Sequence, residues 1–264
     1  MRFITFASGS GGNCTLVQGG GASVLVDAGI SLRRIRACLA RHGLAVDDLD
    51  AVVVTHDHSD HVCALKMLTK YHSVPVYTPA GAIRRLCGLN PELEGTLRPV
   101  RPGEPLYIRE LTVTPFSTPH DAVESVGYVL EGPEGKLGLC TDTGMVTDGM
   151  LEALTGCGAA LIEANHDPQM LMHGPYPVPL KRRIRSESGH LSNEDCALLA
   201  CALAAGGAES IVLGHLSREN NTPRLAFETV REALDAEGFS AVALAVAPPD
   251  GEVCVEIAAC SVSR

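Results

Sequence analysis

Tryptophan is absent and phenylalanine and tyrosine number five each, so aromatic residues make up only 4% of the chain. Packing must rest on Val, Leu, Ile and Ala, and a module that binds nucleic acid by stacking bases on aromatic rings is disfavoured. Basic residues are also short: 21 Lys and Arg against 31 Asp and Glu give a net charge of −10. Binding of a polyanion by the whole surface is thereby disfavoured, and any nucleic-acid contact must be local. No stretch approaches the roughly 18 uninterrupted apolar residues of a membrane span, and the opening Met1–Gly9 has no apolar run of signal-peptide length. The expectation is a soluble, cytoplasmic protein with no membrane partner. CxxC pairs are missing, and the ten cysteines are scattered, several inside apolar runs. They read as reduced core thiols and not as a disulfide framework. Linkers, repeats and low-complexity tracts are lacking too. What is present, 264 residues with 45% hydrophobic and 20% charged side chains, can bury a sizeable core, expected as a single domain over residues 1–264.

Short β-type runs separated by glycine turns open the chain at residues 2–6, 14–18 and 23–26, the last ending in Asp27-Ala28-Gly29. Ser31 caps a helical pattern with Leu32, Ile35, Cys38 and Leu39 on one face, and Gly43 stops it. Ala51–Val54 is too brief for a helix and reads as a buried strand that delivers the chain into Thr55-His56-Asp57-His58-Ser59-Asp60-His61. A helix over 59–70, a strand at 74–77, a helix at 80–86 and a β-rich stretch from 97 to 140 follow. After Asp142 helices and strands alternate: helix 147–154, strand 159–163, helix 192–205, strand 210–213, helix 223–237, then two closing strands. Residues 166–189, with Pro168, Pro175, Pro177 and Pro179, read as one long irregular loop, a kind of segment that tends to carry function.

His56, His58, Asp60 and His61 place four potential metal ligands within six residues, directly after a buried strand. Residues i and i+2 do not share a helix face, so His56 and His58 can converge on a cation only from an extended turn. Asp60 and His61 come where a helix begins and point from another direction, which makes two groups of ligands for two adjacent cations possible.

This segment resembles the HxHxDH motif of the metallo-β-lactamase-fold hydrolases. Further motifs of that family are matched in order by Asp27 after an early strand, His120 in Thr118-Pro119-His120, Asp142 in Cys140-Thr141-Asp142-Thr143-Gly144, and His215 in Val212-Leu213-Gly214-His215. The resemblance implies an α/β fold, an αββα sandwich of two mixed β-sheets flanked by helices. It also implies two divalent cations, one held by His56, His58 and His120 and the other by Asp60, His61 and His215, with Asp142 bridging. Asp27 would orient a ligand from behind. Imidazole and carboxylate donors accept Zn, Mn or Fe alike. Ala64 stands where the family often has glycine, which alters the start of the helix. A cysteine ligand of the kind some lactamases use is missing, which counts against antibiotic hydrolysis. His58 occupies the place where oxygen-reducing di-iron relatives carry Glu, which counts against redox chemistry.

Glu163, and His190 in Gly189-His190-Leu191-Ser192, resemble the Glu and His that ribonuclease Z-like phosphodiesterases use beside their metals. The openings Ser8–Cys14 and Asp27–Ser31, with Glu163–Asp167 and Gly189–Asn193, resemble the YycJ-like (WalJ, VicX) group, described as DNA exonucleases acting from 5′ ends. The implied catalytic residues are Asp60, Asp142, Glu163 and His190: a hydroxide bridging the cations attacks phosphorus, and His190, held by Glu163, protonates the departing oxygen. Lys181, Arg182, Arg183 and Arg185 place four cations in five residues shortly before His190, and with Arg218 they could hold a phosphate backbone locally. Ser8, Ser10 and Asn13 of the glycine-rich loop could present donors to phosphate, and His166 could line the site. The expected partner is nucleic acid, DNA in the first place; oligomeric state is left open, a dimer included. A hydrolase of small esters, thioesters or lactones on the same metals is the alternative, and a metal-stabilised binding protein without turnover is the third.

Overall fold

A computed structural model describes residues 1–257; the last seven residues of the expected 1–264 domain, Cys260 among them, lie outside the described residues. Strands β1 (Arg2–Ala7), β2 (Cys14–Gly19), β3 (Ala22–Val26), β4 (Ala51–Val53), β5 (Val76–Pro79) and β6 (Leu97–Val100) build the first sheet. Strands β7 (Leu106–Ile108), β8 (Leu111–Ser117), β9 (Val126–Gly132), β10 (Gly135–Cys140), β11 (Ala159–Glu163), β12 (Ser210–Gly214) and β13 (Ala243–Val246) build the second. β14 (Val253–Glu256) returns to the first sheet beside β1. The orders are β14-β1-β2-β3-β4-β5-β6 and β13-β12-β11-β10-β9-β8-β7. β3 to β6 are mutually parallel, as are β10 to β13, and the remaining pairings are antiparallel, so both sheets are mixed.

The strands lack clean polar alternation because both faces of each sheet are covered. Phe3, Val24, Val26 and Val53 meet Val113, Tyr128, Leu130, Leu161 and Val212 between the sheets. The intervening Ile4, Phe6, Leu25 and Val52 point outward, under α1 (Leu32–Arg41), α2 (Ser59–Val62), α3 (Leu65–Tyr71) and α4 (Ala80–Leu89). Ile162, Ile211 and Leu213 face the helices of the other side, α5 (Asp148–Leu154), α8 (Asn193–Ala205) and α9 (Pro223–Ala236). The result is the expected αββα sandwich. The Tyr128 hydroxyl crosses from one sheet to the other and donates to the Val54 carbonyl at 2.7 Å. Nine cysteines among the described residues are free. Among the same residues no helix is long and apolar enough to cross a membrane.

Two segments differ from the sequence reading. The helix expected over 59–70 is broken at Cys63-Ala64 into α2 and α3. Its backbone groups are taken by neighbouring loops: Asn13 N–H donates to the Asp60 carbonyl at 2.7 Å, Ala28 N–H to the His61 carbonyl at 2.9 Å, and Ala64 N–H turns to the Ala28 carbonyl at 2.8 Å. The expected loop at 166–189 instead holds two short helices, α6 (Pro168–His173) and α7 (Val178–Ile184). Pro168 takes the first position of α6 behind Asp167, whose carboxylate accepts from Met170 N–H at 2.7 Å. Proline has no N–H to lose there, so residues that read as helix breakers start helices here.

Candidate metal centre

The carboxyl ends of β3, β4, β10, β11 and β12 meet at one edge of the sandwich and deliver Asp27, the His56–His61 segment, Asp142, Glu163 and His215 to the same place. Asp27, Asp142 and His215 turn off their strands with φ of 61°, 59° and 55°. Residues with a Cβ rarely adopt that conformation, at a cost of about 1–3 kcal/mol each, and it concentrates here at a cluster of ionisable groups. Gly29 permits a further close approach, since a Cβ there would run into the Asp60 carbonyl.

His56, His58 and His120 form one set whose candidate ligand atoms lie within 4.8 Å of one another; Asp60, His61 and His215 form a second. Asp142, fully buried, stands between them, with Oδ2 3.3 Å from His61 Nε2 and Oδ1 3.4 Å from His215 Nε2 and 3.8 Å from His120 Nε2. The outer nitrogens are committed elsewhere. His61 Nδ1 donates to Asp27 Oδ2 at 2.8 Å, His120 Nδ1 to the Gly189 carbonyl at 3.0 Å, and His215 Nδ1 to Glu163 Oε1 at 2.8 Å. Thr55 Oγ1 bridges Asp27 and His56 Nδ1, at 3.0 Å from each. These bonds place a proton on Nδ1, so that Nε2 is the atom each ring would offer to a cation once its own proton is displaced. His56 Nε2, His215 Nε2 and Asp142 Oδ2 are buried with no hydrogen-bond partner. Buried groups of this kind are ordinarily satisfied, so three unpartnered oxygen and nitrogen atoms within the cluster fit divalent cations.

The electrostatics agree. Burial lowers the His215 imidazole, but Asp142, Asp60 and Glu163 around it outweigh that and push it up to about 10. Burial also lowers His61, which Asp27 and Asp142 raise well above its ordinary value. His56, with fewer acids nearby, is pushed down by burial and by His61. In metal-free protein, protons on His61 and His215 hold the carboxylates together. Because both folded values lie above the unfolded value, that contribution is complete below about pH 6.5 and is lost as pH rises. The Tm of chelator-treated protein is therefore expected to fall between about pH 6.5 and 10, with a flatter profile once cations replace the protons. Thermal melts at several pH values, with and without added metal, check this.

Glu163 is fully buried at the end of β11. Burial pushes its carboxyl up, but the His190 imidazole and bonds from His190 and His215 outweigh that and hold it at about 2. Oε1 accepts from His190 Nδ1 at 2.7 Å as well as from His215, and Oε2 accepts from Thr143 N–H at 2.9 Å. His190 is lowered by burial and raised more by Glu163 and Asp142, for a net rise.

The residues expected to meet phosphate do not gather in one place. Ser10 and Arg183 border a cavity of about 170 Å³ that also contains His190, His215, Asn165 and Tyr176. Ser8 Oγ accepts from His215 N–H at 2.9 Å, and Asn13 hydrogen-bonds Gly9 and the His61 ring, so both brace the centre from within. Lys181 donates to the Met172 and Gly174 carbonyls at 2.8 and 2.7 Å, tying α7 to α6. Arg182 is exposed, Arg185 lies against Met172, and Arg218 faces Asp250 at 3.6 Å. His166 is buried, pushed down by that burial to about 4, with its backbone pairing to the start of α8. Thr55, Asp121 and Tyr176 belong to the site without having been singled out; Thr55 and Asp121 adjoin motif histidines, and Tyr176 is one of only five tyrosines.

The chain belongs to the β-lactamase superfamily: the family described as "Beta-lactamase superfamily domain" matches residues 22–216. With the His and Asp centre described above, it is a metal-dependent hydrolase of the metallo-β-lactamase fold. Among relatives, the chain is 36% identical to exodeoxyribonuclease YycJ of Bacillus anthracis, over 90% of this chain and 91% of that one. It is 34% identical to exodeoxyribonuclease WalJ of Streptococcus pneumoniae, over 87% of each. Among solved structures, Zn(2+)-bound PqqB from Methylobacterium extorquens superposes with a TM-score of 0.75 over 97% of this chain and 100% of that one, at 19% identity, which shows the shared fold.

The Asp27–His61 bond carries a prediction. Asp27→Asn keeps the shape and removes the charge that fixes the His61 proton, so metal affinity is expected to fall about 10–100-fold with the fold retained. Competition with a chromophoric chelator measures it, and unchanged affinity would remove Asp27 from this role.

Proposed function

We propose that the chain is a phosphodiesterase with two divalent cations, a DNA exonuclease that removes terminal nucleotides in the 5′ to 3′ direction. The observation that carries this reading is the Glu163–His190 pair. A buried carboxylate grips His190 Nδ1 at 2.7 Å beside both His215 and Asp142, in addition to the groups that would hold metal. His56, His58 and His120 would hold one cation and Asp60, His61 and His215 the other, with Asp142 shared. When bound, such cations supply hydroxide at neutral pH and polarise a phosphoryl oxygen.

The chain's own residues do the rest. Glu163 keeps the His190 ring oriented and favours its protonated form, so that His190 can give a proton to the departing oxygen. An alkoxide leaving from DNA needs that proton; a thiolate does not. Asp60 and Asp142 balance positive charge in the same space. The space around the cluster is unequal. The cavity beside His190, about 170 Å³, is smaller than the roughly 300–1,000 Å³ of ordinary ligand sites. A groove of about 600 Å³ opens on the side of His58 and Asp60. The terminal nucleotide would lie partly outside the small cavity, which opens to solvent, and the continuing strand along the groove, with Ser10 and Arg183 meeting phosphate. Relatives named exodeoxyribonuclease support DNA as the substrate, and nine free cysteines fit a reducing cytoplasm.

The test is turnover of bis-p-nitrophenyl phosphate and of matched 5′-labelled DNA and RNA, with Mn and with Zn. Metal-dependent release of mononucleotides from the labelled DNA end is expected. Internal cuts, or preference for RNA, would overturn the finer assignment.

A further inference from the structure

The groove of about 600 Å³ beside the cluster is bordered by His58, Asp60, Arg85 of α4 and Arg183 of α7, with Val62 half-buried and Leu89 exposed along it. Arg85 drew no attention in the sequence. Its Nε lies 2.8 Å from Asp57 Oδ2, and the Asp57 side chain has no solvent exposure. Asp57 sits between His56 and His58 in the metal-binding turn. A buried carboxylate demands a counter-charge, and an arginine packed wholly inside would meet that demand. Arg85 is instead 52% exposed and lies against Asp57 as an ion pair without an aligned hydrogen bond, and both Asp57 carboxylate oxygens are left without a hydrogen-bond partner. A guanidinium carries five donors in a rigid fork, so an ion pair with Asp57 leaves donors available to a ligand in the groove that Arg85 borders.

Arg183 repeats the arrangement from a different helix. Its Nε pairs with Asp121, the residue after His120, and Asp121 Oδ1 lies 3.5 Å from His120 Nε2 and 3.8 Å from His58 Nε2. Each arginine is thus held by a carboxylate adjacent in sequence to a candidate metal ligand. The positions of both guanidinium groups are tied to the position of the cluster. Lys66, the remaining cation on the groove, is already paired with Glu92 at 3.1 Å. On a chain of net charge −10, two acid-paired arginines with donors to spare form a local site for a polyanion.

We propose that Arg85 is a strand-binding residue that, together with Arg183, grips backbone phosphates of the polynucleotide on the retained side of the scissile bond. This rests on the phosphodiesterase reading above. Anchoring by Asp57 and Asp121 places phosphates of the strand in register with the metal centre, since phosphate contacts position a nucleic acid without reading its sequence.

The test compares wild type, Arg85→Ala, Arg85→Lys and the double variant Asp57→Asn/Arg85→Gln, in which no buried charge is left unpaired. All are metal-loaded, and metal content and Tm are recorded. The substrates are a 5′-labelled DNA oligonucleotide and bis-p-nitrophenyl phosphate, which is too short to reach the groove. Arg85→Ala is expected to lower kcat/KM on the oligonucleotide about tenfold more than on the small diester, mainly through KM. The salt slope of log kcat/KM should shrink by about 0.7. Arg85→Lys should restore the slope and part of the KM, and the double variant should follow Arg85→Ala. Equal losses on both substrates that track metal content or Tm would reduce Arg85 to a counter-ion for Asp57 and overturn the proposal. So would wild-type behaviour of Arg85→Ala on the oligonucleotide. If wild type itself hydrolyses neither phosphodiester, the phosphodiesterase reading fails first and takes this proposal with it.

Discussion

Asp142→Ala is expected to abolish turnover, with a loss of about a thousandfold or more and a fall in bound metal. The side chain lies within 3.3–3.8 Å of imidazole nitrogens from both triads, and Oδ2 has no hydrogen bond of its own. Removing it leaves His61 and His215 facing each other without the charge that binds them together, and leaves the two sets of ligands without a shared member. The Asp142 backbone, at φ 59°, would be no easier for alanine to adopt, so part of the strain stays while its compensation goes. Asp142→Asn separates the contributions, because it keeps the shape and loses the charge. Metal per chain by elemental analysis, read beside the hydrolysis rate, checks both variants. Full metal and full rate in either would contradict the role assigned to Asp142.

His190→Ala is expected to slow DNA cleavage by about 10²–10⁴-fold while metal content stays near that of wild type. The contrast arises because the two triads gather their ligand atoms without His190, which lies beside them with Nδ1 bonded to Glu163 and 3.8 Å from Asp142 Oδ1. On bis-p-nitrophenyl phosphate, whose phenolate departs without needing a proton, the same variant should lose far less. Glu163→Gln behaves differently, since Glu163 Oε1 holds both His190 and His215; it should weaken metal binding as well as proton transfer. Equal losses for His190→Ala on both substrates would remove it from the acid role and leave it as a wall of the cavity.

Much of the sandwich was legible because its strands are short, apolar on both sides and bounded by glycine turns, and because the helix faces of α1 and α9 repeat at helical spacing. The helix break at Cys63-Ala64 was not legible. It depends on donors from Asn13 and Ala28, and nothing in residues 59–70 signals that those loops arrive there. The prolines of 166–189 misled for a related reason, since proline punctuates loops and begins helices alike. At the centre, the residues that would meet metal stood out as a dense histidine motif with three partners beyond strand ends, His120, Asp142 and His215. Behind them, Asp27 and Glu163 stood out through the same motifs, and Thr55 and Asp121 did not. Thr55 Oγ1 matters through contacts with Asp27 and His61, and Arg183 meets Asp121 across 62 positions. The basic run 181–185 illustrates the limit: residue type suggested four phosphate contacts, but Lys181 is used up by two backbone carbonyls, and only Arg183 reaches the cavities beside the cluster.

The central claim is that this edge of the sandwich is a metal-dependent phosphodiesterase centre. The most direct measurement is a titration of metal-stripped protein with Mn or Zn, following bound metal and hydrolysis of bis-p-nitrophenyl phosphate together. The account predicts no turnover without metal and a rise to a plateau at about two ions per chain. Metal-loaded protein that hydrolyses a thioester or lactone but no phosphodiester would contradict it, as would stripped protein that works at full rate.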